Sequence, residues 1–386
     1  MGWNSWNSGI TLSERSVEQT IDAMVSSGMR DAGYRYVNLD AGWAAPTRDA
    51  DGNLRADPDR FPHGIAALAR YAHDRGMMLG LYDSPFNQGC GQDPRTGAAG
   101  HEQADAHAFA DWGVDYLKYD WCRLEAGHDE QVKYFTTMRD ALRASGRRIV
   151  YSINPNSSGD PGAGRKYDWS RISDVSRDSI DLVPAWGDDG LWAEGVAGVL
   201  QAFGQAVPLA PHSGPTHVND PDMLVVGIPW AEFATSHTSM VLGPQRPDLT
   251  DAEQRAHFSL WAMLAAPLLA GNDVRSMSEQ TRDILTNRDV IAVDQDPLLV
   301  QGRPLAADGR VIMKPLAGGA VAVALLNPDP GPVTIRTDAR ALGLSAADCF
   351  SDRDLWTHTD STTTGVLEQT VPGHGVAMLR VAPGCR

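Results

Sequence analysis

The sequence predicts an α/β chain in two parts, a (β/α)8 TIM barrel over residues 1–300 followed by a C-terminal antiparallel β-sandwich over residues 301–386. Three observations carry this. The chain has 386 residues, too many for one ordinary core. Strand-like runs alternate with amphipathic helical runs through the first three quarters, the rhythm of βα units around a parallel sheet. From about Gly302 the pattern changes to short alternating segments with no amphipathic helix between them.

In the first part the strand candidates are Tyr36 to Asp40, Met77 to Tyr82, Tyr116 to Asp120 and Arg148 to Ile153. Helical patterns run from Ser13 to Ser27, with Thr11 and Ser13 as caps, and from Gly64 to Arg75. Gly28, Gly33, Gly76 and Gly113 mark helix ends and turns. In the second part the strands are Val311 to Leu316, Ala320 to Leu326, Val333 to Thr337 and Gly375 to Val381, and the boundary falls between Asp296 and Pro304. Neither an internal repeat nor a low-complexity linker separates the parts, so direct packing is expected.

Hydrophobic residues make up 42% and charged residues 21%, the balance of a globular protein. The formal net charge of −16 and the lack of a basic tract argue against nucleic acid and anionic lipid as partners. No apolar run reaches the roughly 18 residues of a membrane span. The opening Met1-Gly2-Trp3-Asn4-Ser5-Trp6 lacks the regions of a signal peptide, and Trp6 stands where myristoylation needs Ser or Thr. With Trp3 and Trp6 read as core or pocket residues, the start is taken as a mature or trimmed end. Cys90, Cys122, Cys349 and Cys385 lack CxxC zinc spacing; one or two bridges local to each part, or four free thiols, remain open.

A parallel barrel builds its site at the C-terminal ends of its strands, so polar residues that close apolar strands are the candidates. Asp40, Tyr82 with Asp83, Asp120 and Asn154 share that address. Lys118 and Asp120 are two apart in a strand and point to one side, where the ammonium is expected to keep the carboxylate ionised, as a nucleophile requires. Trp3, Trp6, Trp43 and Trp121 offer flat faces that could stack on sugar rings or fill the core. Asn219-Asp220-Pro221-Asp222 is a carboxylate-rich turn, and Arg177 and Asp181 lie four apart. No Ser-His-Asp signature, phosphate loop, dinucleotide fingerprint or metal-binding histidine spacing is present, so neither cofactor nor metal is expected.

Several stretches resemble the retaining α-galactosidases and their relatives in glycoside hydrolase family 27. They are Met-Gly-Trp-Asn-Ser-Trp at 1–6, Ala-Asp-Pro-Asp-Arg-Phe-Pro-His-Gly-Ile at 56–65, Trp-Gly-Val-Asp-Tyr-Leu-Lys-Tyr-Asp at 112–120, Asn-Asp-Pro-Asp-Met-Leu at 219–224 and Ala-Ala-Pro-Leu-Leu-Ala-Gly-Asn-Asp at 265–273. Asp-Val-Ile-Ala-Val-Asp-Gln-Asp-Pro at 289–297 adds to them. The resemblance implies a retaining exo-acting α-glycosidase on a (β/α)8 barrel with a C-terminal β-sandwich, acting on an oligosaccharide or polysaccharide. It places the nucleophile on Asp120 and the acid/base on Asp181, four after Arg177, with Arg171 and Asp174 as a rival pair at spacing three. It places sugar contacts on Trp6, Asp40, Tyr82, Lys118, Asn154, Arg177 and Asp222, and a disulfide on Cys90 and Cys122, which implies a secreted or extracytoplasmic setting.

The chain also departs from the family pattern. Ala41 follows Asp40 where the family has a second carboxylate, Val218 replaces a tryptophan, and the loop from Asp83 to Gln88 is unusual. α-D-Galactoside is the default substrate, an α-1,6-glucan cleaved to isomaltose the alternative, and a catalytically silent carbohydrate-binding protein the rival from another class.

Overall fold

The computed structural model describes residues 1–90, 96–121, 127–157, 159–187, 191, 195–238, 240, 242–344 and 347–385. Eight parallel strands form the first sheet: β1 (Gly2–Asn4), β2 (Tyr36–Asn38), β3 (Met78–Asp83), β4 (Tyr116–Asp120), β5 (Val150–Asn154), β6 (Val175–Arg177), β7 (Val218–Asp220) and β8 (Leu269–Ala270). They pair in chain order from β1 to β7, and β8 returns to pair with β1. Leu224, just after β7, closes the ring. Its N–H donates to the Leu269 carbonyl at 2.7 Å, and its carbonyl accepts from the Gly271 N–H at 3.0 Å.

The four strands expected from apolar patterning are present within two residues of their expected bounds. β1, β6, β7 and β8 were not anticipated. Each has only two or three residues, too short for an alternating pattern to show.

The outer helices follow their local chemistry. Helix Glu14–Ser26 begins with a capping box in which the Ser13 hydroxyl accepts from the Ser16 N–H at 3.2 Å and the Ser16 hydroxyl accepts from the Ser13 N–H at 2.9 Å. Thr11 is not the cap; its carbonyl accepts from the Ser16 hydroxyl instead. Gly113 ends helix Glu102–Trp112 at φ +83, in the left-handed region that costs glycine nothing.

The C-terminal part has strands β9 (Arg303–Pro304), β10 (Val311–Pro315), β11 (Val321–Leu326), β12 (Val333–Asp338), β13 (Phe350–Asp354), β14 (Thr359–Thr363), β15 (Val366–Val371) and β16 (Val376–Pro383). An antiparallel sheet of order β9-β10-β11-β16-β13-β14 faces the antiparallel pair β12-β15. β11 is buried on both sides. Val321, Val323 and Leu325 enter the core between the two sheets, while Ala322, Ala324 and Leu326 join the barrel core beside helix Asp251–Leu264. Cys349 is disulfide-bonded to Cys385, within this part.

Direct bonds join the two parts. The Lys314 ammonium, fully buried on β10, donates to the Ala262 carbonyl at 2.8 Å, and burial pulls its pKa down to about 8 against the opposing charge of Asp294. The Trp356 indole donates to the Ser259 hydroxyl at 3.0 Å. Among the described residues no helix is long and apolar enough to cross a membrane.

Candidate active site

A pocket of about 620 Å3 opens at the C-terminal ends of the barrel strands. Every residue expected to be catalytic or to contact sugar, namely Trp6, Asp40, Tyr82, Lys118, Asp120, Asn154, Arg177, Asp181 and Asp222, lines it. Strand register explains the convergence. Asp120 pairs with Asn154 across β4 and β5, Lys118 pairs with Tyr82 across β3 and β4, and Arg177 ends β6. Parallel neighbours with side chains on the same face must meet inside the ring.

One side of the pocket is built on Asp40. Its Oδ2 accepts from Lys118 Nζ at 2.8 Å and from Asn4 Nδ2 at 3.1 Å, and its Oδ1 accepts from the Ala41 N–H at 2.9 Å. Ser5 fixes the backbone by accepting from the Asp40 N–H at 2.9 Å. Lys118 Nζ also lies 3.8 Å from Asp120 Oδ2. Burial works against the ammonium, but Asp40 and Asp120 together outweigh it and hold its pKa above the ordinary lysine value.

Lys118 is not the only influence on Asp120. Burial pushes its carboxyl up to about 6, Lys118 draws it down, and the Asp40 charge raises it again. Lys118 gives its closer contact to Asp40, so desolvation wins at Asp120. The carboxyl is still predominantly ionised at neutral pH.

Arg177 organises the other side. It is 5% exposed, which rules out a solvated surface pair with Asp181. Its Nη2 donates to Asp181 Oδ1 at 2.9 Å, and its Nη1 lies 3.1 Å from Asp222 Oδ1. Burial opposes the guanidinium charge, yet Asp222 and Asp181 outweigh it and raise its pKa. Asp222 also accepts the Met223 N–H at 2.7 Å and the Leu182 N–H at 2.8 Å. These bonds hold it at φ +86, a left-handed conformation that a residue with a Cβ rarely adopts. A second layer supports both groups. The Trp261 indole donates to the Asp222 carbonyl at 2.8 Å, and Gly164 lies so close to the Arg177 carbonyl that no Cβ would fit.

The two carboxylates differ in exposure. The Asp120 side chain is 14% exposed, whereas that of Asp181 is 47% exposed, and only its Oδ1 is hydrogen-bonded by a described side chain. One is enclosed and the other reaches solvent.

The structure also sorts the remaining candidates. Trp3 and Trp43 are buried in the core, their indoles donating to the Asn272 and Tyr82 carbonyls, so only Trp6 and Trp121 of the four tryptophans line the pocket. Asp83 is buried with its Oδ1 accepting the Ser84 N–H at 2.7 Å and is not in the pocket wall. Arg171 and Asp174 precede β6 and line a separate cavity at the other end of the barrel. Cys90 lines the pocket and is disulfide-bonded, and Cys122, its expected partner, lies outside the described residues.

Sequence reasoning missed Asn4, Asn156, Ile180, Met223, Phe233 and Met240. Asn156 binds the Ser179 carbonyl at 2.9 Å and the Gly164 N–H at 2.9 Å, and so shapes the turn that carries Asp181. Nothing in local patterning marks such a residue, because its partners lie eight or more positions away. Among the described residues no group of three His, Cys, Asp or Glu side chains is arranged to hold a metal.

The chain matches the family model described as alpha galactosidase A over residues 7–296, and that of the alpha galactosidase C-terminal β-sandwich domain over residues 306–381. It is 37% identical to alpha-galactosidase A of Cellvibrio japonicus, covering 99% of this chain and 91% of that one. It is 38% identical to alpha-galactosidase 3 of Arabidopsis thaliana, covering 99% and 81% respectively. The crystal structure of alpha-galactosidase I from Mortierella vinacea superposes with a TM-score of 0.87 at 28% identity, over 100% of this chain and 96% of that one. With the barrel, the β-sandwich and the strand-end pocket already in place, these likenesses fix its kinship: the chain belongs to the α-galactosidase family of glycoside hydrolases, family 27.

Proposed function

We propose that this hydrolase cleaves terminal α-D-galactosides of oligosaccharides by double displacement, with Asp120 as nucleophile and Asp181 as acid/base. The observation that carries the reading is the pair of differently housed carboxylates in one pocket, Asp120 enclosed beside Lys118 and Asp181 half-exposed on Arg177. In the first step an Asp120 oxygen attacks the anomeric carbon, the glycosidic C–O bond breaks, and Asp181 gives its proton to the departing oxygen. In the second, Asp181 takes a proton from water as the water oxygen attacks the same carbon, and the ester to Asp120 breaks. Two inversions give net retention, a chemistry that calls for carboxyl groups about 5 to 5.5 Å apart.

Lys118 and Asp40 present charged hydrogen-bonding groups to the sugar, while Trp6, at 44% exposure, offers a ring face at the entrance. The Cys349–Cys385 disulfide suits an extracytoplasmic setting, which belongs to the same proposal. A panel of aryl glycosides tests the substrate. The α-galactoside should be hydrolysed with a higher kcat/KM than the α-glucoside and the arabinopyranoside; a preference for the α-glucoside would overturn the galactoside reading.

A further inference from the structure

At the end of the barrel opposite the catalytic pocket lies a cavity of about 360 Å3. Its wall is made by the C-terminal end of helix His128–Ala144 and by the segments entering β5, β6 and β7. Arg139, Arg143, Arg147, Arg148 and Arg171 all line it. In a chain of net charge −16 this is a local reversal of sign that the linear sequence hides, because Arg171 joins the others only through the fold.

Two of these guanidinium groups have partners. Arg139 pairs with Asp140 at 2.7 Å and donates to the Arg171 carbonyl at 3.2 Å, while Arg147 pairs with Asp115 at 2.5 Å and donates to the Val114 carbonyl at 2.8 Å. The side chains of Arg143, Arg148 and Arg171 are exposed and make no hydrogen bond or ion pair with any described residue. Against them the wall offers one carboxylate, Asp174, whose Oδ2 already accepts the Tyr151 N–H at 2.8 Å. Ser173 is also in the wall, and its hydroxyl is buried.

Three unpaired guanidinium groups around one small cavity repel one another, and their planar forks match the oxygens of a tetrahedral anion. The volume, near the lower end for small-molecule sites, has room for a phosphate group and a small organic residue. We propose that this cavity binds a phosphate group, carried either by inorganic phosphate or by a small phosphate monoester such as a sugar phosphate.

Isothermal titration of the full chain with inorganic phosphate, at constant ionic strength held by chloride, tests this. The wild type should bind one phosphate saturably. The double substitution Arg148→Gln/Arg171→Gln should weaken binding at least about tenfold, with hydrolysis of an aryl glycoside unchanged. All the arginines changed are exposed, and Arg143→Gln serves as an independent variant should the double one unfold. A second titration with a hexose phosphate identifies the carrier: tighter binding than inorganic phosphate assigns the site to the ester, and equal binding assigns it to the free ion. Absence of saturable binding by both probes, or binding that survives the substitutions undiminished, overturns the proposal.

Discussion

Replacing Lys118 by Met should move the acid limb of the pH–rate profile upward. Lys118 Nζ stands 3.8 Å from Asp120 Oδ2, with both side chains about one-seventh exposed. At an effective dielectric constant of about 20 such a pair interacts with about 4 kcal/mol. A third of that is about one pKa unit. The same substitution frees Asp40, whose charge already raises Asp120, so both effects push in one direction. The Asp120 carboxyl, at about 6 in the native pocket, attacks only when ionised, and kcat/KM therefore falls as pH drops through that value. In Lys118→Met the fall should begin at least about one pH unit higher, with part of the lost activity returning in alkali. The assay is kcat/KM on an aryl α-galactoside across roughly pH 4 to 9. An unmoved limb with a uniform loss of rate would show that Lys118 serves the sugar alone and would refute the electrostatic reasoning.

Asp181→Ala should slow substrates with poor leaving groups far more than activated aryl glycosides, and azide should restore turnover of the latter by replacing water; the same behaviour in Asp174→Ala would refute the assignment. Ala41→Asp should raise kcat/KM on an aryl α-galactoside by about tenfold or more, since a hydrogen bond to a charged group contributes about 1.5 to 3 kcal/mol. The reason is that each Asp40 oxygen already accepts from the protein, which limits what it offers a sugar hydroxyl. Tight galactose inhibition of the wild type, with no gain from Ala41→Asp, would contradict this.

What the sequence disclosed depended on where the information lies along the chain. Lys118 and Asp120 were legible because one strand carries both, and the two-residue period puts them on one face. Arg177 and Asp181 were legible as a spacing, but their burial was not, since Asp222 reaches Arg177 from 45 residues away. β1, β6, β7 and β8, of two or three residues each, show no period of their own, and Trp3 and Trp43 could not be told from pocket residues until their indole partners were known. β13 and β14 escaped notice because, Phe350 apart, they consist of polar residues with no apolar alternation. That burial raises the Asp120 carboxyl while Lys118 holds it down was not legible, because neither the burial nor the Lys118 contact with Asp40 can be read from two positions of one strand. The family motifs carried the reaction class and the galactoside default, and the relatives support those over a glucan hydrolase or a silent binder.

The central claim is that Asp120 forms the covalent link to the sugar. An activated 2-deoxy-2-fluoro galactosyl donor, which slows the second step, should trap that ester, and mass spectrometry of the digested protein reads its position. The account predicts one label per chain, on the peptide that contains Asp120, and none in Asp120→Asn. A label on Asp181 or any other carboxylate, or no ester together with an inverted first-formed sugar, would contradict it.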